Sequence, residues 1–150
     1  MRARLTLALA TLLAGIAIGA FVGRTPPAAA SLEGVGPTVQ YLEIVTSDVD
    51  AVVAALTSAL GVQFSGPDAG LGGARTVSLA GGGLLGVRAP LRETEEPLVR
   101  PYLPVPDIDA AVAAVVRAGG QVAHSPLEIP GHGTFAIYHQ GGNDYGLWER

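Results

Sequence analysis

DVDAVVAA, residues 48–55, recurs as DIDAAVAA, residues 107–114, and this repeated octapeptide decides the fold. Each copy opens with aspartate, a favoured helix N-cap, and continues with apolar residues at helical spacing. The first apolar stripe extends to Leu60, and Gly61 and Gly119–Gly120 follow the two stripes, as is typical of helix C-termini. The octapeptides therefore predict two helices within a duplicated unit.

The sequence around each predicted helix favours strands in the same order in both copies. Residues 38–46 and 98–105 precede the helices, and Pro101 and Pro104 suggest an edge position for the second of these strands. Three short strands follow each helix, in residues 62–65, 74–80, 84–88, 121–124, 133–139 and 144–149.

Each copy is therefore predicted to be a βαβββ module, in residues 38–92 and 98–150. Two four-stranded sheets would bury the faces that their helices cover, and the opposite faces would curl into a shared cup. The expected fold class is α+β, with a cup-shaped mixed sheet. Residues 92–97, RETEEP, carry charge and a closing proline, which predict a solvated linker.

The first 30 residues have the pattern of an export signal. Two arginines precede a charge-free stretch over residues 5–22, and residues 28–30, AAA, offer the small side chains that a signal peptidase requires. Cleavage after residue 30 would leave residues 31–150 as the mature domain. The alternative is an uncleaved N-terminal membrane anchor. Both place the domain outside the cytoplasm, and any membrane contact is expected only through this segment.

The composition narrows the function classes. The chain has 150 residues and no cysteine, so we expect one domain without disulfides or a thiolate metal site. The net charge is −4 and no basic run occurs, which argues against nucleic acid as a partner.

The second module carries the more specific motifs. These are VPDIDAA at residues 105–111, PLEIPGHGTFA at residues 126–136 and GLWE at residues 146–149. Together with the paired modules, they make residues 38–150 resemble the vicinal oxygen chelate (VOC) superfamily, which includes glyoxalase I, bleomycin-resistance proteins and extradiol dioxygenases. The resemblance implies the cup-shaped fold and a small molecule bound in the cup.

The resemblance also implies where a metal would lie. Metal-dependent members hold a cation through the first and last strands of each module, and the corresponding residues here are Tyr41, Gly86, Arg100 and Gly146. Arginine and glycine offer no ligand atom and neutral tyrosine is a poor one, so we expect no metal and no other cofactor. No local spacing presents two imidazoles to one ion from the three histidines, which are His124, His132 and His139.

Strand alternation assigns side chains to the two faces of the sheet. With the four metal positions on the inner face, the residues expected to line the cup are Tyr41, Glu43, Arg88, Arg100, Tyr102 and Trp148. Aromatic walls and guanidinium groups would suit a planar or carboxylated small molecule. The alternative is a Glu43–Arg100 ion pair that, packed with aromatic rings, merely fills the cup.

Three functions remain in competition. The leading hypothesis is an exported, metal-free domain that binds a small organic molecule, as the bleomycin-resistance resemblance implies. The second is a VOC-type lyase, isomerase or dioxygenase-like enzyme with a non-standard metal site or a general acid or base, for which the candidates are Glu43, Glu128 and Tyr102. The third is a partner-binding domain of an envelope complex. A monomer and a homodimer are both open.

Overall fold

The computed structural model describes residues 38–150, and its elements run strand, helix and three strands, twice. They are β1 (Tyr41–Val45), α1 (Val49–Leu60), β2 (Pro67–Asp68), β3 (Ala74–Ser78), β4 (Leu84–Arg88), β5 (Leu98–Pro104), α2 (Ile108–Arg117), β6 (Gln121–Ile129), β7 (Gly133–Gln140) and β8 (Asn143–Glu149), with a 3-10 turn at Ala69–Leu71. The predicted leader lies outside the described residues. Within residues 38–150, neither helix is long and apolar enough to cross a membrane.

The helices begin and end at the predicted residues. The side chains of Asp48 and Asp107 accept hydrogen bonds from backbone N–H groups in the first turns of α1 and α2, at 3.1 and 2.9 Å, which satisfies donors that lack an intrahelical partner. Gly61 ends α1 in the left-handed conformation at φ +66°, and Gly119 follows α2 at φ +85°.

All eight strands form one mixed sheet, in the order β2-β3-β4-β1-β5-β8-β7-β6. The expectation of two four-stranded sheets was wrong, because β1 and β5 pair antiparallel and join the halves. The edge position expected for β5 was also wrong, since β5 lies between β1 and β8. Each proline removes only one N–H donor from the sheet. Pro101 also lies outside the pairing of β5 with β8, which runs from Tyr102 to Pro104.

Two further strand boundaries differ from the prediction. Residues 62–65 form no strand, because Ser65 makes a single backbone bond to Thr76 and regular pairing with β3 is confined to Pro67–Asp68. Strand β6 extends beyond the predicted residues 121–124 to Ile129 and pairs with β7 with shifts in register. Strand β6 contains a proline. The strand lies at the sheet edge, where an internal proline is tolerated.

The two faces of the sheet carry different cores. On the helix side, Ile108 of α2 packs with Ala136 and Leu147. On the opposite side, Tyr41, Tyr102 and Trp148 form an aromatic core with Leu71 and Ala74. This second face is the one that carries the predicted cup residues.

The two ends of the described chain lie side by side. With its amide oxygen turned toward Arg150, the Gln40 side chain accepts hydrogen bonds from the guanidinium at 2.8 and 3.0 Å. Gln40 directly precedes β1 at the centre of the sheet, so both ends lie beside the central strands.

Candidate functional site

A cavity of about 450 Å³ opens on the face of the sheet opposite the helices. All six residues expected to line the cup border it, namely Tyr41, Glu43, Arg88, Arg100, Tyr102 and Trp148. Each of them is at most 6% exposed. The alternation of side chains along four strands therefore brings residues from both halves of the chain into one site.

The floor of the cavity is a buried ionic network centred on Glu43. One carboxylate oxygen accepts a hydrogen bond from Arg88 Nε at 2.6 Å. The other accepts from Arg100 Nη1 at 2.6 Å and from the Tyr102 hydroxyl at 3.1 Å. Glu43 and Arg100 lie opposite one another on β1 and β5. Both carboxylate oxygens are therefore engaged by protein donors.

Glu95 was not among the predicted site residues, yet it completes this network. It lies in the segment between β4 and β5, and its carboxylate receives two hydrogen bonds from Arg88, at 2.7 and 2.8 Å, and one from the backbone of Leu91, at 2.7 Å. The side chain of Glu95 is only 13% exposed. The other five residues of 92–97 are exposed, as predicted for a solvated linker, so the prediction fails only at Glu95, which Arg88 holds against the cup.

The network also reaches the surface through Asp144. This carboxylate accepts a hydrogen bond from Arg100 Nη2 at 3.2 Å and contacts His139 Nδ1 with its other oxygen. Burial alone would raise the pKa of Asp144, but its bonds to Arg100 and His139 lower it. Asp144 therefore acts as a fixed anion that holds Arg100 in place.

Aromatic rings form a wall above the charged floor. Trp148 packs against Tyr41, Tyr102 and Phe135, with ring centroids 5.6, 5.4 and 6.0 Å apart, and its indole N–H donates to the His132 carbonyl at 2.7 Å. Stacked on Phe135 is His124, which also lines the cavity. The indole N–H of Trp148 already has its acceptor, and the rest of the wall is an apolar surface. Small-molecule sites are usually lined by such aromatic side chains.

Unlike the indole N–H of Trp148, the Tyr41 hydroxyl is one of two buried donors in the site that lack a hydrogen-bond partner among residues 38–150. Burial, followed by the negative charge of Glu43, raises the pKa of Tyr41, so the group stays a neutral donor. A buried donor without a partner is costly, and an acceptor on a bound molecule would remove that cost.

Solved structures with this topology include a hypothetical protein from Bacillus halodurans, with a TM-score of 0.63 and 14% identity over 77% of this chain and 95% of that chain. A variant of methylmalonyl-CoA epimerase from Streptomyces coelicolor, in complex with 2-nitronate-propionyl-CoA, aligns at 16% identity with a TM-score of 0.57, covering 77% of this chain and 97% of that chain. The Mycobacterium tuberculosis methylmalonyl-CoA epimerase aligns at 18% identity with a TM-score of 0.58, covering 77% and 88%. The domain has a VOC-like fold. No protein-family model and no curated protein matches the chain.

The residues at the positions that correspond to VOC metal ligands are Tyr41, Gly86, Arg100 and Gly146, and their side chains do not suit a divalent cation. A Cβ atom added to Gly86 would overlap the Tyr41 ring, and one added to Gly146 would overlap the Tyr102 ring. The tyrosines thus occupy the space of the missing side chains. Among the described residues, no three His, Cys, Asp or Glu side chains converge in a way that could hold a metal ion. The chemistry of the residues present does not fit a divalent cation.

Two residues singled out from the sequence, Glu128 and His132, lie outside the cavity lining. Glu128 is exposed on β6, in the part of the strand that extends beyond the predicted residues 121–124. His132 lies in the turn before β7, where its ring is 3.2 Å from Asp68 of the other half. This contact joins the β2 end of the sheet to the β6–β7 turn. Of the three catalytic candidates, the structure therefore places Glu43 and Tyr102 in the cavity, both within the ionic network.

The contact between Arg88 and Glu95 predicts a loss of stability in acid. The hydrogen bond from Arg88 lowers the pKa of Glu95 from 4.5 to about 2. A carboxyl group with a lowered pKa in the folded state stabilises the fold fully above its unfolded pKa, and this contribution disappears as the pH falls from 4.5 toward 2. Urea unfolding across this range should show the loss.

Glu95→Gln should flatten that pH dependence, because the variant has no carboxylate to protonate at this position. Glu96→Gln is the matched control, since it removes an exposed carboxylate of the same segment and should retain the wild-type profile. Identical profiles for Glu95→Gln and the wild type would contradict the role assigned to Glu95.

Proposed function

We propose that this domain binds a small organic molecule in its cup without a metal ion. The observation that carries the proposal is the cavity of about 450 Å³, which remains above the charged floor even though Glu43, Arg88 and Arg100 are buried. An ion pair that merely filled the cup would leave no such space. The cavity volume is in the range of small-molecule sites.

Two buried donors indicate what the bound molecule carries. The Tyr41 hydroxyl and Arg100 Nε both lack a partner among the described residues, and both residues line the cavity. Both atoms are closed to solvent, so the ligand must shift the surrounding rings before a carbonyl or carboxylate oxygen can satisfy such a donor. Its apolar body would pack on Trp148 and Phe135. The Streptomyces epimerase, which has the same fold, is in complex with a small-molecule ligand, and this supports the same use of the cup here.

Binding is favoured over catalysis because of how the candidate acids and bases are held. Both oxygens of Glu43 already accept hydrogen bonds from Arg88, Arg100 and Tyr102. Three of its roughly four lone pairs are thereby engaged, and a general base needs a free lone pair within reach of the proton that it removes. Burial, followed by the charge of Glu43, raises the pKa of Tyr102, which makes Tyr102 a donor of hydrogen bonds and a poor acid.

The only tryptophan of the chain provides the test. Because Trp148 borders the cavity, its fluorescence should change when a ligand enters. We expect saturable changes with members of a panel of small aromatic carboxylates, esters and amides, with the tryptophan excited at the red edge of its absorption. The same titrations in EDTA should give unchanged affinities. A panel without any saturable change would contradict the binding function, and affinities lost in EDTA would contradict the metal-free site.

Tyr41→Phe tests the proposed contact with the ligand. Removing one neutral hydrogen bond should weaken the binding of carbonyl-bearing members of the panel by about fivefold to tenfold, which is about 1 kcal/mol. Stability should be unchanged or higher, because the variant removes a buried donor without a partner. Tyr145→Phe, whose ring stacks on Tyr138 away from the cavity lining, is the control and should bind as the wild type does. Equal affinities for both variants would contradict the contact.

We also propose that the domain acts outside the cytoplasm. Support comes from the sequence of the first 30 residues, with two arginines, an apolar stretch and a small-residue cleavage site. N-terminal sequencing of the protein recovered from the extracytoplasmic fraction should return Ser31. Recovery of the whole protein in the cytoplasm would contradict the proposal.

A further inference from the structure

The cavity lining carries more arginines than acidic residues within an acidic domain. Three arginines and two glutamates border the cavity, namely Arg88, Arg92, Arg100, Glu43 and Glu95. The remaining residues of 38–150 include three arginines and ten acidic residues. With Asp144, which pairs with Arg100, the three arginines of the cup face three carboxylates, so the cup is close to neutral within a domain that repels anions over the rest of its surface.

Arg92 differs from the other two arginines of the cup in its pairing. Arg88 is paired with Glu43 and Glu95, and Arg100 is paired with Glu43 and Asp144. By contrast, no carboxylate of the described residues forms an ion pair with Arg92. The two buried arginines that the sequence indicated as anion ligands are thus already neutralised by the protein, and the exposed one at the mouth of the cavity is not.

The backbone around Arg92 is held in place over the cup. The Arg92 carbonyl accepts a hydrogen bond from the Glu95 N–H at 3.0 Å, which closes a tight turn. The Glu95 side chain fastens that turn to Arg88 and to the Leu91 N–H. Arg92 therefore extends from a segment that is anchored to the floor of the same cavity that it borders.

Resting on the proposed binding function, we infer that the ligand is an aromatic or similarly bulky carboxylate. Its ring lies against Trp148 and Phe135, and its carboxylate pairs with the guanidinium of Arg92 at the mouth of the cup. A guanidinium presents two parallel N–H groups that match a carboxylate. The apolar wall and the single unneutralised cation thus select for a molecule with one apolar end and one anionic end.

The experiment compares two probes of nearly equal shape and different charge, para-tert-butylbenzoate and para-tert-butylbenzamide. Isothermal titration calorimetry on the whole domain should show that the wild type prefers the carboxylate by about tenfold, which corresponds to about 1.4 kcal/mol. Arg92→Gln should abolish this preference and leave the affinity for the amide unchanged. Arg117→Gln removes an exposed arginine of α2 that is outside the cavity lining and should retain the preference.

Each other outcome overturns the inference. Equal affinities of the wild type for the two probes, or a preference that survives in Arg92→Gln, would show that Arg92 does not select the ligand, while the binding function would stand. Failure of both probes to bind would reject this ligand class. The binding function would fail with it only if the wider panel also left the fluorescence of Trp148 unchanged. Thermal unfolding of both variants checks that they are folded.

Discussion

Glu43→Ala is expected to destabilise the domain by about 3–5 kcal/mol, because the change leaves two buried guanidinium groups without their shared carboxylate. Arg88 and Arg100 are 4% and 6% exposed, so solvent screens their charges far less than it screens charges at the surface. Urea unfolding monitored by the fluorescence of Trp148 measures the effect. Arg100→Ala should be costly for the same reason, since it strips Glu43 of one of its two cationic partners.

An exposed ion pair supplies the control for this prediction. Arg75 contacts Asp50 at 2.7 Å, as close as the buried pairs, but the Asp50 side chain is 85% exposed. Asp50→Ala should cost less than about 1 kcal/mol, because water screens the pair in the folded protein. Similar costs for Asp50→Ala and Glu43→Ala would show that the cup floor is as well solvated as the surface.

Gly146→Ala should destabilise the domain by about 3 kcal/mol, at the upper end of typical overpacking costs. The added methyl group would overlap Cγ and Cδ1 of the Tyr102 ring, which are the atoms nearest the backbone and the least able to move away. The Tyr102 hydroxyl is also held by Glu43. The ring is thus fixed at both ends, and the strain must pass into β5 or β8.

A double-mutant cycle identifies the source of that cost. In a Tyr102→Leu background the effect of Gly146→Ala should shrink, since the smaller side chain leaves room for the methyl group. Gly66→Ala is the matched control: a Cβ atom there meets nothing within 4 Å, so the change should alter stability by less than about 0.5 kcal/mol. An undiminished cost in the Tyr102→Leu background would place the strain elsewhere.

The side chains that share the cup were predictable because a strand offers only two faces. Once Tyr41 and Arg100 are assigned to one face, alternation places Glu43 and Tyr102 beside them without further information. Helix boundaries were equally accessible, since Asp48 and Gly61 act within a few residues of their own positions. Both inferences depend on local geometry alone.

The features that sequence reasoning missed depend on contacts between distant segments. Glu95 occupies a charged stretch that resembles any solvated linker, and only the position of Arg88 at the end of β4 explains its burial. The one available signal was a glutamate seven residues after Arg88, the inward-facing arginine that ends β4. The single sheet was missed for a related reason, because the pairing of β1 with β5 leaves no mark on either strand.

The neighbouring positions of Gln40 and Arg150 have a consequence for how the chain can be rewired. A short peptide could join these two residues, and new ends could then be opened within residues 92–94, between β4 and β5. Such a circular permutant would keep every strand pairing, including β1 with β5, while cutting the segment that carries Arg92 over the cup. Folding depends on the strand pairings of the sheet, whereas the proposed recognition depends on the continuity of one short segment, so the permutant would separate the two.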